Sequence, residues 1–245
     1  MVSPIKFVFR WLFRLLILLL VLAVAFILLL DTIAKEVVEG RLRNETGMEV
    51  RIGSVSVGLM SPVFTVENLK LYNTAEFGGS PFLDLPEFHA EYDRGLLFSH
   101  KLHYKLLRIS LAELIVVRNR AGKTNVRALE EHQEKARHAA GTSKTSEGSS
   151  YKFAGIETLN ITLGKARLLN MDAPSQPWDL PLNVRNKIVT GIRTDKELSD
   201  ACYVILLEAG AKPLLEFVSD SRTPGTNAHP AGPDPAGKNT GKQLK

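Results

Sequence analysis

The chain has 245 residues, of which 44% are hydrophobic and 23% are charged, and its formal net charge is +5. This length is enough for one large or two small domains. The basic residues do not form a stripe with interleaved aromatic residues, which argues against nucleic acid as a partner. The single cysteine, Cys202, excludes an intramolecular disulfide framework and any CxxC metal site. Its apolar neighbours predict a small buried hydrophobic residue there.

The first 30 residues predict a cytoplasmic stub and a membrane anchor. Residues 15–30 contain no polar side chain, and counted from Trp11 the apolar run approaches the roughly 20 residues that span a bilayer. The alternative is a cleaved signal peptide, but the apolar region of such a peptide is usually only about 7–15 residues long. The predicted span is marked by Trp11, Leu15, Leu20, Phe26 and Leu30.

Charges on either side of this run predict its orientation. Three basic residues, Lys6, Arg10 and Arg14, precede it, and Asp31 follows it directly. The positive-inside rule therefore leaves the short N-terminus in the cytoplasm and places everything after Asp31 outside it. Residues 31–47 predict a juxtamembrane helix that ends near a glycine.

The remaining chain predicts a mainly β, α+β domain behind the transmembrane helix. A first β section with a helix occupies residues 48–140, a polar linker 141–150, and a second β section with a C-terminal helix 151–218. Thr194 begins that helix, because T-x-x-E is a capping box. The tail, residues 219–245, lacks aromatic residues and is rich in Gly, Pro and Lys, which predicts disorder.

The strand patterns repeatedly change phase. Phe64 and Val66 are apolar at even positions, but Leu69 and Leu71 are apolar at odd positions, so alternation slips at Glu67-Asn68. A two-residue hairpin at each slip would leave very short strands, so we favour β-bulges, which keep one face buried. Repeated bulges bend long strands. The predicted fold is therefore a curved, bulged antiparallel sheet with a few helices.

This order of segments resembles AsmA-like proteins: a basic N-terminus, one anchor, a short helix, and then "VRIGSVSVGLMSPVFTVENLKLYN". The resemblance covers roughly residues 1–195 and rests on the order of its pieces rather than on one specific motif. The matching pieces are Ile52-Gly53, Val55, Val66–Leu71, Leu83–Leu85, Leu96-Leu97, Lys101, Glu113–Asn119, Gly122–Asn125 and Ile156–Asn170.

The resemblance implies a bacterial inner-membrane protein with a periplasmic β domain that serves outer-membrane and envelope biogenesis. It also implies a likeness to lipid-transfer proteins whose folded sheet shields acyl chains from water. Phospholipid would then lie against an apolar β groove, without catalysis. The candidate groove residues are Val57, Leu59, Phe64, Val66, Leu69, Leu71, Leu107, Ile109 and Leu111.

No motif in the sequence predicts an enzyme, a cofactor or a metal site. There is no G-x-S-x-G elbow, P-loop or G-x-G-x-x-G fingerprint. His100 and His103 are three residues apart in or near a strand, so they would point to opposite faces. The alternative to lipid handling is an envelope scaffold that binds other proteins through sheet edges and the C-terminal helix.

Overall fold

The computed structural model describes residues 4–58, 61–141, 151–174 and 176–219, without the side chains of 4–13, 23–28, 137 and 139–141. Leu59, most of the predicted linker and nearly all of the predicted tail lie outside the described residues. The helices are α1 (Pro4–Thr46), α2 (Arg94–Phe98), α3 (Asn125–Gly141), α4 (Asp195–Glu208) and α5 (Lys212–Ser219), with a 3-10 turn at Ala75–Phe77. The strands are β1 (Glu49–Arg51), β2 (Ser54–Val57), β3 (Val63–Tyr72), β4 (Pro81–Tyr92), β5 (Lys101–Arg118), β6 (Lys152–Asn170) and β7 (Trp178–Ile192).

The α+β class is confirmed, and both predicted β sections join one open sheet. Its strand order is β1-β3-β4-β5-β6-β7, and β2 also pairs with β3. All pairs are antiparallel except β5 and β6, which run parallel from Lys101↔Lys152 to Arg118↔Asn170. The prediction of an antiparallel sheet was therefore wrong at this one pair. Parallel neighbours need a crossover connection, and the segment that begins with α3 supplies it.

One face of the sheet, here called the apolar face, carries α1, α4 and α5. The prediction that Phe64, Val66, Leu69 and Leu71 share one face is confirmed. Val66 and Leu71 are buried in one cluster, and Phe64 and Leu69 pack against it. α1 covers β1 and β2, α5 covers β6, and α4 covers β7. The opposite face, here called the polar face, carries ion pairs such as Lys70 with Asp84 and Arg108 with Glu87.

A bulge at Glu67-Asn68 was the wrong explanation of the slip. The β3–β4 register is unchanged across it, with Glu67↔Glu87 on one side and Leu69↔Leu85 on the other. Asn68 instead has a left-handed backbone, with φ of 54°, and lies opposite Pro86. Both strands therefore change phase together. Asparagine tolerates this conformation better than most residues.

The slips of several strands align across the sheet. We call this transverse line the crease. Gly53 donates its N–H to the carbonyls of both Glu67 and Asn68, at 3.0 and 3.2 Å. Farther across, Ala112 lies opposite Gly164, between the pairs Leu111↔Leu163 and Glu113↔Lys165. The crease contains Gly53, Asn68, Pro86, Ala112, Gly164 and Asn183, the last with φ of 51°.

True register shifts occur in strand pairs other than β3–β4 at Asn68. One lies between Glu91 and Tyr92, where β5 has an additional residue before Leu106. Two more lie in the β6–β7 pair, beside the left-handed Asn183 and Asn186. Such irregularities let a strand keep its apolar side chains on one face.

Polar side chains of α1 fix the helix to the edge of the sheet. Asp31 accepts a hydrogen bond from the Val57 N–H at 3.1 Å, and Glu39 accepts one from the Ile52 N–H at 2.8 Å. Between them, Lys35 Nζ donates to the Gly53 carbonyl at 3.2 Å. These three residues are four apart, so they share one face of the helix. They satisfy backbone groups of a sheet edge that would otherwise face solvent.

Candidate functional site

The strongest candidate site is a strip of half-buried apolar side chains in the middle of the apolar face. α1 lies over one side of the sheet and α4 and α5 over the other, and among the described residues no helix packs extensively on β4. The strip runs from β3 to β7, four strand spacings or about 19 Å. We call it the apolar trough, and it consists of Phe64, Phe88, Ile109, Leu111, Leu163 and Val184.

The packing of the trough places it where separate core clusters meet. Phe88 packs against two clusters of buried side chains. One lies under α1 and contains Val66, and the other lies under α4 and contains Ile205. Leu163 packs against both the cluster under α4 and the one under α5. The rings of Phe64 and Phe88 meet edge to face, with centroids 6.5 Å apart. The trough is thus a lightly covered seam between well-packed regions.

The predicted groove residues are brought onto this face, but they divide into two groups. Val66, Leu71 and Leu107 are buried core residues. The other described residues of the set are half-buried. Val57, Phe64 and Leu69 lie in the cluster under α1, Ile109 lies in the cluster under α4, and Leu111 pairs with Leu163. Leu59 lies outside the described residues.

The α1 side of the predicted groove is a filled core. Ala34, Val38 and Leu42 of α1 pack against the cluster that contains Val66 and Leu71. The trough, at the border of this cluster, leaves apolar side chains partly accessible. The trough therefore leaves apolar surface accessible, whereas the region under α1 stabilises the fold by burial.

Sequence patterns missed three members of the trough. Phe88, Leu163 and Val184 were not among the predicted groove residues, although Phe88 and Leu163 follow the same alternation as their neighbours. Val184 also continues the even-position alternation of Leu180 and Leu182, across the left-handed Asn183. The missing information was cross-strand register, which pairs Leu163 with both Leu111 and Val184.

Two titratable side chains, Tyr104 and Cys202, border the trough. Tyr104 of β5 and Cys202 of α4 both pack against the cluster under α4. Burial raises the pKa of the Tyr104 hydroxyl and that of the Cys202 thiol. Cys202 has the apolar surroundings that its sequence context predicted, but it is half-buried rather than buried. This side of the trough therefore has an uncharged border.

Charges are concentrated on the polar face instead. Arg167 donates two hydrogen bonds to Asp179, one of them from Nη2 to Oδ2 at 2.9 Å. This hydrogen bonding lowers the pKa of the Asp179 carboxyl and raises that of Arg167. Lys165 lies 3.0 Å from Glu113 in the same group of charges. These pairs are ordinary surface ion pairs, which contribute little to stability.

No metal-binding group of three or more His, Cys, Asp or Glu residues occurs in the part of the chain that the structure describes. The two histidines that are three residues apart in the sequence make different contacts. His100 stacks on Tyr151 with ring centroids 5.5 Å apart. His103 lies 3.9 Å from Glu157.

The predicted anchor lies in α1. The helix contains all five marker residues, and the side chains of Trp11 and Phe26 are outside the described part. The eight side chains from Leu15 to Leu22 are 45–65% exposed. Within the described residues, no helix combines the length and the apolar character needed to cross a membrane.

Comparison with protein-family models, with curated proteins and with solved structures finds no match for this chain.

Proposed function

We propose that this chain is a membrane-anchored, AsmA-like periplasmic protein of bacterial envelope biogenesis that holds phospholipid acyl chains in the apolar trough without catalysis. The observation that carries the proposal is the trough itself, a half-buried apolar seam over which, in the described part of the chain, no helix packs extensively on β4. An acyl chain laid along it would replace water beside Phe64, Phe88 and Ile109. Each methylene buried there contributes about 0.8 kcal/mol.

The proposed anchor is the N-terminal part of α1. Its exposed leucines from Leu15 to Leu22 would cost free energy in water and would be stable among lipid tails. α1 continues without a break from Pro4 to Thr46, about 65 Å at 1.5 Å per residue. Asp31, Lys35 and Glu39 fix its C-terminal part to the sheet, so the helix would hold the trough at a defined height above the membrane.

The second candidate is an envelope scaffold that binds protein partners. Exposed Tyr203 and Val204 on α4 favour it, because they form an apolar surface away from the core. Docking along β7 is less favourable. This edge carries Pro181, the left-handed Asn183 and the charged Lys187, features that discourage strand addition. We therefore place lipid handling first.

Lipid occupancy is tested with the full chain by native mass spectrometry from mild detergent, comparing L111E with A112E. Leu111 belongs to the trough, whereas its neighbour Ala112 is exposed at the crease. We expect wild type and A112E to carry phospholipid. L111E should lose at least about tenfold in occupancy, since a buried carboxylate beside an acyl chain is strongly unfavourable.

Circular dichroism of both variants provides the control for folding. Equal phospholipid occupancy in folded L111E and A112E would contradict the proposed site. Specific capture of a protein partner by the Tyr203 surface, with lipid-free wild type, would favour the scaffold instead.

A further inference from the structure

The end of the sheet nearest the proposed anchor has an unusual surface. α1 runs antiparallel to β2, and Asp31, directly after the apolar run, bonds the last residue of β2, Val57. β4 ends at this same end, and β5 and β6 begin there. We call it the anchor-side end. If α1 spans the membrane, this end lies at the level of the lipid headgroups.

Aromatic side chains project from the anchor-side end. Phe98, the last residue of α2, is 84% exposed, a high value for a phenylalanine. Tyr151 is 47% exposed and stacks on His100, two residues after Phe98. The two segments are also joined by a hydrogen bond from the Lys152 N–H to the His100 carbonyl at 2.9 Å. Exposed aromatic rings are typical of surfaces at a membrane–water interface.

Basic side chains surround these rings. Lys101 and Lys152 are both exposed and face each other as a register pair on neighbouring strands. Paired like charges repel, so an anionic partner would stabilise them. Residues 93–105 and 151–153 contain Arg94, Lys101, Lys105 and Lys152 against one acidic residue, Asp93. The Asp93 carboxylate already accepts the Leu96 N–H at 3.1 Å.

We propose that the anchor-side end docks on an anionic bilayer surface, with Phe98 and Tyr151 among the headgroups and Lys101 and Lys152 on lipid phosphates. The inference rests on the proposed anchoring by α1 and adds a second membrane contact to it. Two membrane contacts would fix the tilt of the sheet relative to the bilayer, whereas an anchor alone would leave that tilt free. Docking would point the strands toward the bilayer from which lipid is taken.

The test uses the full chain in C202S background, reconstituted in vesicles of phosphatidylcholine alone or of phosphatidylcholine and phosphatidylglycerol in equal parts. A fluorophore is attached at F98C, I188C or L22C, and lipids with a quencher near the headgroup or deep in the tails are added. Ile188 is the matched control, because it is 59% exposed. Its register partner, Asn160, lies eight residues or about 26 Å along β6 from Lys152.

We expect the Phe98 probe to be quenched by headgroup-level quenchers in anionic vesicles, and the Ile188 probe to be unaffected. Replacing both lysines, K101Q with K152Q, should lower the docked-to-undocked ratio about 25-fold, at about fivefold for each charge. The same change at Lys187, near the Ile188 control, should have no effect.

The Leu22 probe separates the two proposals. Deep quenching at Leu22 with no quenching at Phe98 would overturn docking and leave the anchor intact. If neither probe is quenched, both the anchor and the docking are wrong.

Discussion

Replacing Asn125 with alanine should destabilise the protein by about 4 kcal/mol. The Asn125 side chain is fully buried and accepts the Val117 N–H at 3.1 Å. It also donates to the Ile115 carbonyl at 2.9 Å and to Asn73 Oδ1 at 2.8 Å. Each buried backbone group left without a partner costs about 1–3 kcal/mol. N125A would leave two such groups, the Val117 N–H and the Ile115 carbonyl, without a hydrogen bond.

The position of Asn125 explains why one side chain has so large an effect. The last β4–β5 register pair is Leu83↔Leu114, so Ile115 and Val117 lie past the point where these two strands pair. Asn125 supplies the hydrogen bonds that continued pairing with β4 would have made. It also begins α3, the first part of the crossover from β5 to the parallel β6. Its loss would loosen the connection that allows these two strands to run parallel.

Urea unfolding of the full chain in mild detergent, followed by circular dichroism, measures this effect. The matched control is N170A, because the Asn170 side chain accepts one exposed hydrogen bond, from the Asp172 N–H at 3.1 Å. N170A should change the free energy of unfolding by less than about 1 kcal/mol. Equal losses in the two variants would show that the buried contacts of Asn125 are not important for stability.

Replacing Gly164 with alanine should cost about 3 kcal/mol, through strain at the crease. A Cβ atom at this position would lie 2.4 Å from the backbone carbonyl oxygen of Ala112. A backbone atom cannot rotate away as a flexible side chain can, so β5 and β6 would have to separate locally. Overpacking of this kind typically costs about 1–3 kcal/mol.

The control for this variant is G40A, since a Cβ at Gly40 in α1 would meet no atom within 4 Å. Alanine there should be neutral or stabilising by up to about 1 kcal/mol, because it favours helix. Chemical denaturation of both variants gives the comparison. A G164A protein as stable as G40A would contradict the close approach of the two strands at the crease.

The sequence predicted the buried face of the sheet better than its connectivity. Alternation placed Phe64, Val66, Leu69 and Leu71 on one face, and the structure confirms it. The alternation of apolar and polar residues is the same for parallel and antiparallel strands, however. It could not show that Lys101 pairs with Lys152 in a parallel register. Strand direction depends on the crossover, which is a long-range property of the chain.

Local patterns also explain which helices were predicted. The predicted helix start at Thr194 was confirmed, because Thr194 Oγ1 accepts the Glu197 N–H at 3.1 Å and the predicted apolar side of α4 packs on the sheet. The second half of the box differs, since Glu197 accepts the N–H of Arg193 rather than that of Thr194. α5 was missed, because it is only eight residues long and begins without a predicted cap. The contacts of Asp31 and Glu39 with the sheet edge were missed because their partners are backbone atoms.

The slip at Glu67-Asn68 shows why cross-strand information matters. A phase change in one strand has two explanations, an unpaired residue or a change shared with the neighbour. Only the register, with Asn68 opposite Pro86, separates them. Proline cannot donate to the ladder, so the crease crosses β4 at a position where a hydrogen bond is already missing.

Site-specific photocrosslinking in living bacteria tests the central claim most directly. A benzophenone amino acid is placed at Ile109, in the trough, or at its neighbour Ser110, which pairs with Glu87 and Thr162 on the polar face. After irradiation, phospholipid labelled with radioactive phosphate should be attached to the Ile109 protein and absent from the Ser110 protein. Labelling at neither position, or at both equally, would contradict lipid binding in the apolar trough.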